Sequence, residues 1–150
     1  MDFEAQIKDL KKYNKICTAL IAVIAVLCFA LFAVMLAGKE KQEHRAEFFR
    51  QVAEYGTKYL CENTSIQQDG NTVVIATQQE DYTKAGFAMY GERGNTMISA
   101  SEKTKGEKLQ KMADDCKTGF TVVYKFLDGN DPDTVIFSTT GGEVTQEWPY

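Results

Sequence analysis

The longest apolar stretch of the chain lies near its N-terminus, where residues 16–37 read ICTALIAVIAVLCFALFAVMLA without a charged side chain. At about 1.5 Å per residue, a helix of this length reaches about 33 Å, which matches a hydrocarbon core of about 30 Å. A buried helix of a soluble protein would carry a polar face, whereas the polar atoms here are the Thr18 hydroxyl and the thiols of Cys17 and Cys28. The pattern therefore predicts a transmembrane helix over residues 16–37.

The exit of this segment distinguishes an anchor from a cleaved signal peptide. Signal peptides have an apolar region of about 7 to 15 residues followed by small residues at the cleavage site. This segment is longer, and the bulky Met35 and Leu36 stand near its exit. We therefore expect the segment to be retained as a signal anchor.

The basic residues on the two sides of the segment bear on its orientation. Four lysines precede it within eight residues of the membrane, and two lysines and two arginines follow within the next fifteen residues, so the numbers are equal. The tighter clustering on the N-terminal side favours a short cytoplasmic tail of residues 1–15 and a C-terminal domain outside the cytoplasm. The inverted topology, with the domain in the cytosol as a regulatory module, is the alternative.

Small residues recur along the predicted transmembrane helix at steps of three and four. They are Ala19, Ala22, Val26, Ala30, Ala33 and Ala37. Small side chains on one face let a second helix approach closely, so this face is a candidate for self-association. Because no Gly-xxx-Gly pair is present, the alternative of an ordinary alanine content stays open.

Helical periodicity continues beyond the membrane segment as far as Cys61. Apolar residues recur at steps of three and four from Phe48 to Leu60, whereas the preceding residues, GKEKQEHRAE, have no apolar stripe. We expect residues 38–61 to form a juxtamembrane stalk helix, solvated at first and docked by its aromatic face on a domain that occupies residues 62–150.

Strand and helix patterns alternate within residues 62–150. A strand is expected over TVVIATQ after the Asp69-Gly70 turn, and a hairpin over residues 86–101 with its turn at Glu92-Arg93-Gly94-Asn95. An amphipathic helix is expected over residues 103–117, followed by strands over 120–127, 134–139 and 144–148. This order predicts an α+β domain with a single antiparallel sheet and its helices packed on one face.

The charge of the region after the membrane segment limits its partners. From Gly38 onward, 13 Lys or Arg stand against 18 Asp or Glu, a net charge of −5. An acidic domain repels phosphate backbones, and no basic stripe with interleaved aromatic residues is present in the sequence. We therefore expect no nucleic-acid partner.

Two of the four cysteines, Cys61 and Cys116, end the two helices predicted after the membrane segment on their apolar sides. If these helices lie side by side, a disulfide is possible, and it would stabilise the domain by about 3 to 4 kcal/mol. The alternative is a pair of buried free thiols. The single histidine, His44, stands seventeen residues before Cys61. That is about 25 Å along a helix, so a Cys-His catalytic pair is not expected.

The sequence contains few motifs for catalysis or metal binding. Carboxylate pairs such as Glu80-Asp81 occur without a spacing that selects a reaction, and the chain has no glycine-rich phosphate loop and no Cys-x-x-Cys motif. The acidic stretch Asp128–Asp133 departs from EF-hand spacing, which favours a turn over a calcium site. The sequence predicts no enzyme, metal or cofactor, with a carboxylate-based hydrolase as an alternative.

The segment VVYKFLDG at residues 122–129, preceded by an amphipathic helix and followed by a hydrophobic strand, resembles the C-terminal half of small membrane-anchored surface proteins of unknown function from Gram-positive bacteria. The resemblance implies a compact α+β domain held at the outer face of the membrane by an N-terminal hydrophobic element. It implies no functional residue. The chain differs from that family in lacking a lipobox and in the insertion at Tyr82–Ser101.

The combined interpretation is a single-pass membrane protein with an extracytoplasmic, non-catalytic domain. That domain would bind a protein or a ligand of the cell envelope, or serve as an accessory subunit of a membrane complex.

Overall fold

Helix α1 runs from Phe3 to Tyr59 without interruption. The structure, a computed structural model, describes residues 3–61 and 63–147, and it describes side chains from Tyr13 onward apart from those of Ile16 and Ala19. The predicted transmembrane and stalk segments are therefore parts of one helix. Contacts divide the chain into two compact units, residues 1–42 and 43–150, so the last turns of α1 belong with the C-terminal unit.

The described apolar side chains of the first unit are exposed on all sides of α1. Phe29 is 80% exposed and Met35 is 73% exposed. The most apolar window of α1 has a mean hydropathy of 3.1, and α1 is the one helix in the described residues that is long and apolar enough to cross a membrane. Apolar surface of this extent is unstable in water, so the helix is compatible with single-pass membrane anchoring.

A mixed five-stranded sheet follows α1. In sequence and in space its order is β1 (Asn63–Asp69), β2 (Thr72–Gln78), β3 (Thr121–Leu127), β4 (Val135–Thr140) and β5 (Glu143–Glu147). Neighbouring strands are antiparallel except β2 and β3, which are parallel with Val73 opposite Val122. The predicted α+β class is confirmed, but the prediction that every strand pair is antiparallel is wrong. Parallel neighbours need a crossover connection, and the helix between β2 and β3 supplies it.

That crossover helix, α2, spans Lys84–Asp115 and replaces the hairpin predicted over residues 86–101. Thr83 caps its first turn, since its hydroxyl oxygen accepts a hydrogen bond from the Gly86 amide at 3.1 Å. Gly91, with a φ of 66° and a ψ of 179°, is not helical and forms a kink that joins two helical segments of α2. The region of the predicted turn is therefore helical apart from the kink at Gly91.

The sequence pattern concealed the first half of α2 because polar residues occupy its buried positions. Asn95 and Glu102 are 2% and 4% exposed, and Gly106 is also buried. A helix is recognised by apolar residues at these steps, and here they begin to recur only from Leu109 onward.

Strand β1 was also absent from the prediction, which ended the stalk helix at residues 62–65. Only Ile66 among its residues is a large apolar side chain, so no alternation marks the strand. The predictions of β2, β3 and β4 are confirmed within a residue. The predicted edge strand corresponds to β5, and Trp148 lies outside the described residues.

Both helices pack on one face of the sheet, as the sequence predicted. The main core combines the last turns of α1, the second half of α2 and alternate residues of β2 and β3. Its most buried members are Phe48, Val52, Val73, Ile75, Leu109, Ala113, Val122 and Tyr124. A second cluster lies under the first half of α2 and contains Phe87, Phe126, Ile136 and Phe137.

Arg45 extends the contact of α1 with the sheet beyond the apolar stripe. Its Nη2 donates to Asn71 Oδ1 at 2.7 Å, and its guanidinium lies 4.5 Å from the centre of the Phe120 ring. The sequence predicted a solvated segment here. A cation over an aromatic ring brings this turn of the helix onto the domain instead.

We expect Gly106→Ala to destabilise the domain, although alanine favours helix by about 1 kcal/mol over glycine. A Cβ atom at this position would overlap Oγ1 of Thr139 on β4 and lie 2.8 Å from Cγ2 of the same side chain. Overpacking of this kind costs about 1 to 3 kcal/mol in the free energy of unfolding. Urea unfolding of the full chain in detergent, read by pulsed proteolysis, measures the change. Ser101→Ala on the exposed side of α2 is the control, and equal stability of the two variants would contradict the prediction.

Candidate binding cleft between α1 and β1

The surface between the last turns of α1 and strand β1 is concave and contains two adjoining cavities. One, called here the apolar groove, has a volume of about 480 Å³, and the other, the polar pocket, has about 570 Å³. The two share Leu60 and Cys61 in their walls. Together they form a cleft with an apolar end and a polar end.

No lining residue of the apolar groove carries a charge. The lining consists of Val52, Ala53, Gly56, Thr57, Leu60, Cys61, Thr64 and Ile66. The small side chains of α1 leave the space open, and Ile66 on β1 stays 42% exposed. Because β1 is the edge of the sheet, no described strand covers Ile66 from the far side.

The polar pocket carries two charges of each sign. Its charged lining residues are Lys58, Glu80, Asp81 and Lys105, beside Asn63, Gln78 and Gln79. The amide of Gln78 is already engaged, since Nε2 donates to the backbone oxygens of Asp128 and Gly129 at 2.8 and 3.2 Å. Balanced charge disfavours a strongly acidic or strongly basic ligand at this end of the cleft.

A buried hydrogen-bonded network begins at Lys105 in the wall of the polar pocket. Lys105 Nζ donates to Glu102 Oε1 at 2.6 Å, and the Tyr124 hydroxyl donates to the other oxygen of the same carboxylate. The Thr77 hydroxyl lies 3.0 Å from the Tyr124 oxygen. Burial raises the pKa of Tyr124, and the neighbouring Glu102 carboxylate adds to the effect. The network holds α2 against β2 and β3 with its polar groups satisfied.

Cys61 and Cys116 are free thiols in the structure, and the disulfide considered from the sequence is not formed. Cys116 lies near the charges of Glu47 and Arg50, whereas Cys61 lies near those of Glu102 and Lys105. The two helices therefore run in opposite directions, and their C-terminal ends lie apart. Eleven residues separate Arg50 from Cys61. That is about 16 Å along a helix, whereas a disulfide requires Cα atoms within about 7 Å.

Neither thiol is activated. Burial raises the pKa of Cys61, whose Sγ lies 3.4 Å from Gln79 Oε1 as a hydrogen-bond donor. Burial likewise raises the pKa of Cys116. A reactive cysteine needs a lowered pKa, so both thiols have the properties of packing groups rather than nucleophiles.

The acidic loop between β3 and β4 uses its carboxylates to fix its own backbone. Asp128 Oδ2 accepts from the Lys84 amide and Oδ1 from the Asn130 amide, at 2.7 and 2.8 Å. Asp131 accepts from the Thr134 hydroxyl and the Asp133 amide, and these bonds lower its pKa. The loop thereby joins the start of α2 to the sheet.

The alanine face lies on the first unit, away from any described cavity. Ala22, Ala30, Ala33 and Ala37 are exposed on α1, and the side chain of Ala19 lies outside those described. Helix association through this face stays a prediction.

Sequence reasoning missed Glu102, Lys105 and Tyr124, which the fold brings together. Glu102 and Lys105 stand in a charged stretch, SEKTKGEK, that reads as solvated helix. The one signal was Tyr124 in mid-strand, because a buried tyrosine hydroxyl requires a hydrogen-bond partner.

No protein-family model, curated protein or solved structure matches this chain. Its class is therefore defined by architecture alone, as an α+β domain preceded by a helix that could cross a membrane once.

Tyr124→Phe should reveal the protonation of the buried network. Because the pKa of Tyr124 is raised in the folded chain, its hydroxyl contributes fully to stability at pH values below the ordinary tyrosine pKa of 10.0. Above that pH the unfolded chain loses the proton while the folded chain keeps it, so stability falls. We expect the free energy of unfolding of the wild type to exceed that of Tyr124→Phe by about 1 to 3 kcal/mol at pH 8.

That advantage should shrink by up to about 1.4 kcal/mol per pH unit above pH 10. Urea unfolding of the full chain in detergent between pH 8 and pH 11 measures the difference, with Tyr59→Phe on the exposed surface as the control. A difference that does not change with pH would contradict the assignment.

Proposed function

We propose that this chain is a single-pass membrane protein whose α+β domain lies outside the cytoplasm and binds a protein or another ligand of the cell envelope, as an accessory subunit without catalytic activity. The observation that carries the proposal is the apolar groove. It is open, uncharged and about 480 Å³ in volume, beside an edge strand that exposes Ile66. An apolar concavity of this size is the usual form of a recognition site.

The orientation in this proposal rests on the lysines before the membrane segment. Lys8, Lys11, Lys12 and Lys15 cluster on the side that we assign to the cytoplasm. The resemblance to membrane-anchored surface proteins of Gram-positive bacteria supports the same placement. Self-association of the membrane helices through their alanine face is part of the proposal.

The non-catalytic role rests on the engagement of the cleft's reactive groups. The Glu102 carboxylate is hydrogen-bonded to Tyr124 and Lys105, and the Cys61 thiol has a raised pKa. A hydrolase acting at the polar pocket would use Glu80 and Asp81, the carboxylates in its lining, and both are exposed. Exposed carboxylates lack the desolvation that tunes a catalytic acid.

The topology can be tested by placing single cysteines on the two sides of the membrane segment. Asp133→Cys lies on an exposed loop of the domain, and Asn14→Cys lies on the exposed surface before the span. With a membrane-impermeant maleimide, we expect Asp133→Cys to be labelled in intact cells above the wild-type background and Asn14→Cys only after lysis. The reverse result would contradict the extracytoplasmic placement and favour a cytosolic regulatory module.

The binding role can be tested by photo-crosslinking in living cells. A photoreactive residue in place of Thr57, in the wall of the groove, should give a discrete adduct with a partner. The matched position is Thr104, which is exposed on α2. Equal yields from both positions, or none from Thr57, would contradict the proposal that the groove is the binding surface.

A further inference from the structure

Strand β1 is a sheet edge without the usual protection. Its seven residues pair with β2 in unbroken register, and only the last of them, Asp69, is charged. The opposite edge, β5, has a glutamate at each end and a shift in its register with β4. Natural sheets blunt exposed edges with charges, prolines and bulges because unpaired backbone groups attract another strand.

The hairpin geometry identifies the unpaired groups of β1. A two-residue turn at Gly70-Asn71 joins β1 to β2, so the flanking Asp69 and Thr72 exchange backbone hydrogen bonds. Every second residue back from Asp69 bonds to β2 in the same way, and the residues between direct their N–H and C=O groups outward. These are Thr64, Ile66 and Gln68. In the described parts of the chain, no backbone hydrogen bond outside the sheet uses them.

The residues of β1 with outward backbone groups include those whose side chains line the apolar groove. Thr64 and Ile66 have outward backbone groups, and their side chains line the groove on the helix side of the sheet. A strand paired with β1 would place every second side chain on that side, beside Ile66 and facing Ala53 and Gly56 of α1. One extended chain could therefore satisfy the edge and fill the groove.

We infer that β1 accepts an extended segment of a partner polypeptide, which adds a sixth strand to the sheet and inserts apolar side chains at alternate positions into the groove. The inference rests on the proposed function and names its ligand as a polypeptide strand. Only another strand repeats donors and acceptors with the spacing of the β1 edge, about 6.8 Å for every two residues. The uncharged lining selects apolar rather than charged residues at the inserted positions.

A second copy of this chain would fill the site less well than such a partner. The β1 sequence, NTSIQQD, offers a single large apolar side chain, that of Ile66. Pairing of two β1 strands would leave most of the groove without a side chain to occupy it. A segment with apolar residues at every second position supplies several.

The test uses the purified full chain in lipid nanodiscs and two synthetic fluorescent peptides. The first has valine at every second position with serine or threonine between, and the second has the same sequence N-methylated at every residue. N-methylation keeps the side chains but removes the N–H donors that would face β1. In fluorescence anisotropy we expect the first peptide to bind and the second to bind at least about tenfold more weakly.

Two variants locate the binding on one face of β1. Ile66→Lys places a charge at the groove, whereas Gln67→Lys places the same charge on the opposite face of the strand. We expect Ile66→Lys to lose at least about tenfold in affinity and Gln67→Lys to bind like wild type. Urea unfolding midpoints of both variants confirm that they remain folded. Bound peptide should also slow hydrogen exchange of the Ile66 and Gln68 amides.

Three results would overturn the inference. Equal binding of the two peptides would show that the backbone edge is not used, and equal losses in the two lysine variants would show that the groove is not used. Disulfide-linked dimers of Thr64→Cys that Ile66→Lys prevents would identify a second copy as the occupant. The peptide measurement does not depend on the side of the membrane, so its failure is distinguishable from a failure of the maleimide labelling.

Discussion

The domain depends on the insertion of Phe48 and Val52 of α1 into the core of the sheet. These side chains are 0% and 1% exposed, and they pack with residues of β2, β3 and α2. Without them, the helix-facing side of β2 would lose its cover, because α2 lies mainly over β3 and β4. The folded unit therefore includes residues from Glu43 onward. The helix that carries the candidate membrane span is also a structural part of the domain.

A second constraint is the polar contact between α2 and the sheet. Glu102 is 4% exposed and is held by Lys105 and by the hydroxyl of Tyr124. Removal of one member would leave a buried polar group without its partner, which costs more than the bond itself contributes. Gly106, one turn further on, brings the backbone of α2 close to Thr139. Together these contacts fix the position of α2 along β3 and β4, which apolar packing alone specifies less sharply.

The sequence predicted the elements in which apolar residues recur at regular steps. It failed for elements in which buried positions carry polar residues or in which few residues are buried. The membrane segment, the stalk helix and β2 to β4 follow their periods closely. The first half of α2 was missed because Asn95, Glu102 and Gly106 occupy buried positions, and β1 because an edge strand needs few apolar residues. The relation of Cys61 to Cys116 depends on helix direction, which no local pattern encodes. The same holds for the network around Tyr124, whose members come from three elements.

The apolar groove contains residues that do not maximise the stability of α1. Gly56 stands inside a helix, where glycine costs about 1 kcal/mol relative to alanine, and a Cβ atom there would meet only Leu60, at 3.8 Å. Alanine would therefore fit and stabilise the helix. Larger apolar side chains at Ala53 and Gly56 would cover Ile66 and close the cavity. A chain shaped by stability alone has these substitutions available. In the proposed function, a partner supplies the missing surface of this open groove and of the unprotected strand edge beside it.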